Sequence, residues 1–248
     1  MDENVMKELE MEAASKVHAD WCMSELRAYF DRAQTEYQGN LSAAYYKACF
    51  KNGKPRNEVE FDTPFLIAHS VLADESIKSF ENFMKLFNIG AINVKRFTKR
   101  TLTEEEIAKA GKNYKDGEEN ILRSFDELSH ASQEENLSAA IGAVKVFTEL
   151  AKAGVTIDEM KKNAEMRHSI GVAIHLDWLK RNQNHPNDSL KVPYDELDEW
   201  TQQQDLTVFD AILDVVMQQP TKYVIAQVDG AIVPDYEELE RQMFGHTK

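Results

Sequence analysis

The chain reads as a mostly helical protein, and three features of its 248 residues say so. Glycine and proline, 10 and 6 in number, are scattered rather than clustered, so few points interrupt regular structure. Good helix formers fill the intervals, and apolar residues recur every three or four positions. Three Ser or Thr residues are each followed three positions later by Glu, the pattern in which hydroxyl and carboxylate satisfy the free amides of a helix start reciprocally.

Taken in order, Val5, Leu9, Ala13, Val17, Trp21, Leu26 and Phe30 fall near helical spacing and predict a helix over 3–36. The interval KNGKPRN, 51–57, holds Gly and Pro and reads as a loop. Helix resumes after Pro64 and runs to Phe87. The pairs Thr103 with Glu106, Ser132 with Glu135 and Thr156 with Glu159 start helices near 103–129, 133–153 and 157–182. Beyond Pro220, YVIAQVDGAIV alternates about Asp229-Gly230 and predicts a short C-terminal β-hairpin.

An internal repeat underlies this order. Val17-His18-Ala19-Asp20-Trp21 is echoed by Ile174-His175-Leu176-Asp177-Trp178, and Pro64-Phe65 by Pro193-Tyr194. Ile77, Phe80, Phe83, Met84 and Phe87 then match Leu206, Phe209, Ile212, Leu213 and Val216 without a gap. Each unit is expected to be a helix presenting Trp, a proline-fixed turn presenting an aromatic ring, and a second amphipathic helix. The turn would clamp one helix back onto the other. The expected domains are 1–88 and 161–219 as the two units, 89–160 as a helical spacer, and 220–248 as hairpin and tail.

The second copy resembles the ryanodine-receptor-type repeat, the RYR domain. The residues that carry the likeness are His175-Leu176-Asp177-Trp178, His185-Pro186, Val192-Pro193-Tyr194-Asp195-Glu196-Leu197, and Asp205 with Phe209. It covers about 168–216, and 12–88 resembles the family only through His18, Trp21, Pro64, Phe65 and Phe80. The chain departs from the family in having only LKRNQN between Trp178 and His185. The resemblance implies a prokaryotic or phage-like, helical, non-enzymatic module, with nucleotide-derived signals as a suggested ligand class.

Charge and composition bound the function. Forty-three acidic against 29 basic side chains give a formal charge of −14, which repels nucleic-acid phosphates, so direct nucleic-acid binding is not expected. With two cysteines, no leader pattern and no membrane-spanning run, the chain is expected in the cytoplasm. His175 and Asp177, two apart, do not share a helix face as metal ligands would, and His18 and Asp20 repeat the defect. No catalytic residue, metal or cofactor is assigned. The acidic run around Glu104, Glu105, Glu106, Glu118, Glu119, Asp126 and Glu127 admits a magnesium-dependent all-helical nucleotide hydrolase as one alternative. An acidic decoy imitating nucleic acid is another, and a solvated face is the simpler account.

Two basic groups stand against the acidic background: Lys95, Arg96, Lys99 and Arg100, and Lys161, Lys162, Arg167 and His168. Arginine forks suit phosphates, whereas surface pairing with Glu and Asp is the plainer role. The expected function is a non-catalytic binding module for a small nucleotide-like anion or a protein partner, with homo-oligomerisation left open. The candidate ligand-binding residues are His18, Trp21, Phe65, Arg96, Arg100, His175, Trp178, His185 and Tyr194.

Overall fold

Asn163 shows how local chemistry sets the element boundaries. In the computed structural model its backbone is extended (φ −77°, ψ 116°), and its side chain accepts from the Met166 amide at 3.1 Å. It closes one helix and caps the next, so the single helix expected over 157–182 is two. A short polar side chain competes with the helical ladder for backbone partners and wins here.

The structure describes residues 1–37, 79–88, 99–101, 103–104 and 118–245. Numbered along these, the elements are α1 (Glu3–Tyr37), α2 (Phe80–Asn88), β1 (Lys99–Thr101), β2 (Glu118–Asn120), α3 (His130–Lys152), α4 (Ile157–Lys162), α5 (Ala164–Arg181), α6 (Glu199–Gln218) and α7 (Tyr236–Phe244). Short 3-10 turns occupy Phe125–Glu127, Asp188–Leu190 and Tyr194–Glu196. The protein is mostly helical, and no described helix is long and apolar enough to cross a membrane. The chain forms two compact units, Met1–Asp20 with Ser132–Lys248, and Trp21–Ala131.

In the first unit α5 is the central element, packed by α4, α6, α7 and the Tyr194–Glu196 turn. Its stretch from Ile170 to Leu176 is buried throughout, as a helix covered on all sides requires. Leu9, Ala13, Ala14 and Val17 bury the first part of α1. Ala140, Ala143, Val144, Phe147 and Leu150 bury one face of α3, and Phe209, Ile212, Leu213 and Val216 that of α6. The capping box at Thr156 is formed: Thr156 Oγ1 accepts from the Glu159 amide, whose carboxylate accepts from the Thr156 amide at 2.8 Å. Asp198 caps α6 by accepting from the Thr201 amide, and Asp235 caps α7 by accepting from the Glu238 amide.

The second unit contains the rest of α1, in which Leu26 and Phe30 are buried. Phe30 meets Phe80 edge-on at 5.6 Å, and the Arg27 guanidinium lies 4.9 Å from the Phe80 ring centre. β1 and β2 pair antiparallel, with Arg100 opposite Glu119. The Glu119 carboxylate is fully buried and accepts from both the amide and the hydroxyl of Ser129. Cys22 Sγ lies 3.6 Å from the Ile121 carbonyl, and burial pushes its thiol up to about 12, so it stays an unreactive thiol.

Three expectations are corrected. The C-terminal hairpin does not form: 224–228 and 231–235 carry no ladder, and the Val228 amide instead donates to Lys152 O at 3.0 Å. That carbonyl belongs to the last turn of α3 and has no partner inside its helix, so the helix end captures an amide the hairpin needed. The helix expected over 103–129 is not continuous, since 118–129 contains β2 and the Phe125–Glu127 turn. Ser132 does not start a helix: α3 begins at His130 and Ser132 is buried within it. The two-copy arrangement is not visible in the described residues. His18 falls in one compact unit and Trp21 in the other, while Pro64 and Phe65 lie outside the described residues.

Candidate functional site

His175, Trp178, His185 and Tyr194 come together around the C-terminal half of α5. His175 and Trp178, three apart, share a face of the helix, and their rings stack at 6.0 Å with planes 7° apart. His185 meets Trp178 edge-on at 5.3 Å, and Tyr194 lies tilted 6.2 Å from His175. His168, two turns further up α5 from His175, meets Tyr194 at 5.7 Å.

The turn is set by Pro193, after which Tyr194 enters a 3-10 turn with its ring buried, 3% exposed. Its hydroxyl group approaches Gly171 so closely that a Cβ there would lie 2.3 Å away. Burial drives the phenol pKa up to about 12, so the ring is neutral. Gln202 fastens the turn to α6 by donating to Tyr194 O at 2.8 Å and Leu197 O at 3.3 Å. Glu240 of α7 accepts from the Tyr194 amide at 2.8 Å. The clamp read from Pro193-Tyr194 is therefore a packed joint of α5, α6 and α7.

His175 is 2% exposed and its Nε2 lies 2.9 Å from the Val192 carbonyl, which can only accept, so Nε2 carries a proton. Nδ1 faces Asp205 Oδ2 at 3.3 Å without a well-aligned hydrogen bond. Desolvation raises the Asp205 carboxyl and His175 opposes that rise. Asp205, quoted in the sequence motif but not chosen as a site residue, is thus the partner that orients His175; its place four residues before buried Phe209 on α6 was the available signal.

His185 differs in having a ring nitrogen to spare. Its Nδ1 accepts from the Asn187 amide at 3.2 Å, which leaves Nε2–H as the donor of the neutral ring, with no partner among the described residues. His185 and Trp178 are both half-buried. Arg181, three residues beyond Trp178, bonds Asp177 at 2.8 Å through Nε, leaving its terminal nitrogens uncommitted among the described residues.

The second basic group is neutralised. Arg167 grips Asp210 with both terminal nitrogens at 2.5 and 2.9 Å, Lys161 lies 3.8 Å from Asp214, and Lys162 pairs with Asp158. His168 Nε2 bonds Asp195 at 2.7 Å, and its pKa is raised, first by that bond. Of the remaining candidates, His18 is buried in α1 and Trp21 half-buried in the other unit. Arg100 sits on β1, while Phe65 and Arg96 lie outside the described residues. Among the described residues no group of three or more His, Cys, Asp or Glu could hold a metal ion. The chain matches no family model, no curated protein and no solved structure.

Proposed function

We propose that the chain is a non-catalytic binding module of RYR-like type, in which 168–216 forms one unit and 12–88 a divergent second. It takes a planar, nucleotide-derived anion at the corner formed by Trp178, Arg181 and His185. The observation that carries this reading is the edge contact of Trp178 with His185, whose Nδ1 is occupied and whose Nε2–H is unspent. An indole offers a stacking face, and a free imidazole donor with a partly free guanidinium supplies charge-assisted bonds to a phosphate. The pairing of Arg167, Lys161 and Lys162 with carboxylates argues against the second basic group as the anion's seat. His175 and Tyr194 act beneath the corner as positioning residues.

Calorimetry of the intact chain against a panel of linear and cyclic nucleotides tests the reading. Binding heat is expected for at least one member, and His185→Ala or Arg181→Glu should abolish it while leaving the thermal transition in place. Arg96→Glu with Arg100→Glu reports whether the first basic group also contributes. Heats absent throughout the panel overturn the anion reading in favour of a protein partner, and turnover of a nucleotide favours the hydrolase.

A further inference from the structure

The segment that fails to form a hairpin remains chemically a strand. Residues 224–228, Val-Ile-Ala-Gln-Val, run without bend or turn, are rich in β-branched residues and carry no charge in a chain of net charge −14. Val224 is 58% exposed and Val228 52%, and Ala226 between them is also exposed. In an extended run these three side chains share one apolar face, while the exposed Gln227 lies on the other.

One edge of this backbone carries no hydrogen bond among the described residues. Val228 donates to Lys152 O at 3.0 Å, and the amides of Ile225 and Gln227 make no hydrogen bond among the described residues. Successive amides of an extended chain point to opposite edges, so those of Ile225 and Gln227 point away from the α3 terminus. This is an unpaired edge, the feature that other strands add to.

We propose that this edge pairs with the same segment of a second copy, antiparallel about a two-fold axis at Ala226. The segment is self-complementary in that register. Ile225 of each copy lies opposite Gln227 of the other as a hydrogen-bonded pair, each using the unspent amides. Val224 lies opposite Val228 of the second copy as a close non-hydrogen-bonded pair, so the exposed valines cover one another. A closed two-fold contact uses one surface twice and leaves no further edge to propagate. The pairing stands apart from the ligand reading at Trp178 and does not require it.

Sedimentation equilibrium of the intact chain is expected to show a concentration-dependent dimer. Gln227→Pro removes an edge amide that no bond within the protomer uses, and should raise the dissociation constant by about tenfold or more. Changing the two exposed valines tests the register without touching the backbone. Val224→Lys with Val228→Lys sets lysine against lysine and should give monomer, whereas Val224→Lys with Val228→Glu creates opposite charges across the axis and should associate again. Ala226→Cys should form an intermolecular disulfide that the wild type, with Cys22 and Cys49 alone, does not. A wild type that is monomeric at every concentration overturns the pairing. So does a dimer untouched by Gln227→Pro, or one in which the Lys/Glu variant associates no better than the Lys/Lys variant.

Discussion

His168 concentrates more titration chemistry than any other exposed residue of α5. Its Nε2 meets Asp195 at 2.7 Å, its Nδ1 lies 3.5 Å from Glu237 of α7, and Ser169 Oγ also donates to that Glu237 carboxylate at 2.7 Å. Asp195 and Glu237 raise the imidazole from its ordinary 6.5. A group whose pKa is raised by folding contributes stability that is fully present below its unfolded value and is lost as pH climbs through the folded value. The melting temperature of the wild type relative to His168→Gln should therefore fall as pH is raised from about 6 to about 8, a window that brackets the histidine and spares the carboxylates. The side chain is 42% exposed, so solvent screening keeps the effect small. Thermal melts of the two proteins across that range decide it; parallel curves would mean that the contact is energetically silent.

At the scale of elements, the joint of α5 with the Tyr194 turn makes a quantitative prediction. Tyr194→Ala empties a buried site and should cost about 3 kcal/mol, and Gly171→Ala, which drives a methyl into the phenol, about 1 to 3 kcal/mol. Together they should cost less than their sum, because the new methyl occupies part of the space the phenol vacates. Trp178→Ala should cost less than Tyr194→Ala, since the indole is only half-buried. Urea unfolding measures all four, and strict additivity would show that Gly171 and Tyr194 do not share a packing site. The same elements show where the sequence is legible. The expected start and end of α1 lie within a residue of the observed ones, because periodicity and composition act locally, and the Thr156–Glu159 box is chemistry contained within four residues. The Ser132–Glu135 pair misleads because α3 begins two residues earlier and buries Ser132 within it, and the Val224–Val233 alternation misleads because a tertiary partner overrides it. For the hairpin that partner is the Lys152 carbonyl, 76 residues away from Val228, which no window along the chain contains. Four of the nine candidate site residues, His175, Trp178, His185 and Tyr194, do converge, since a helical three-residue spacing and a proline-fixed turn are both readable in one dimension.

For the whole molecule the formal charge of −14 governs how solution conditions act. Like charges oppose both the folded state and the approach of two copies, and salt relieves both. Raising salt from about 0.05 M to about 0.5 M should increase the melting temperature and the dimer fraction while weakening any bound anion, whose contacts are screened in the opposite sense. Opposite signs for association and ligand binding in one buffer series would separate the two surfaces without mutation. Salt that dissolves the dimer would instead point to an interface held by ion pairs rather than by Val224 and Val228.

The first unit is built from both ends of the chain. Glu12 accepts from Gln219 at 2.6 Å and from Lys222 at 2.9 Å, Glu8 pairs with Lys222 at 3.1 Å, and Lys16 reaches Asp214 at 3.5 Å. During synthesis, therefore, the ribosome delivers Glu8, Glu12 and Lys16 long before their partners Asp214, Gln219 and Lys222. Those residues wait through the production of the whole intervening unit, Trp21–Ala131, whose residues are contiguous and emerge together. A nascent chain halted near residue 200 carries α1 without these partners, and completing the unit requires closing a loop of about 200 residues.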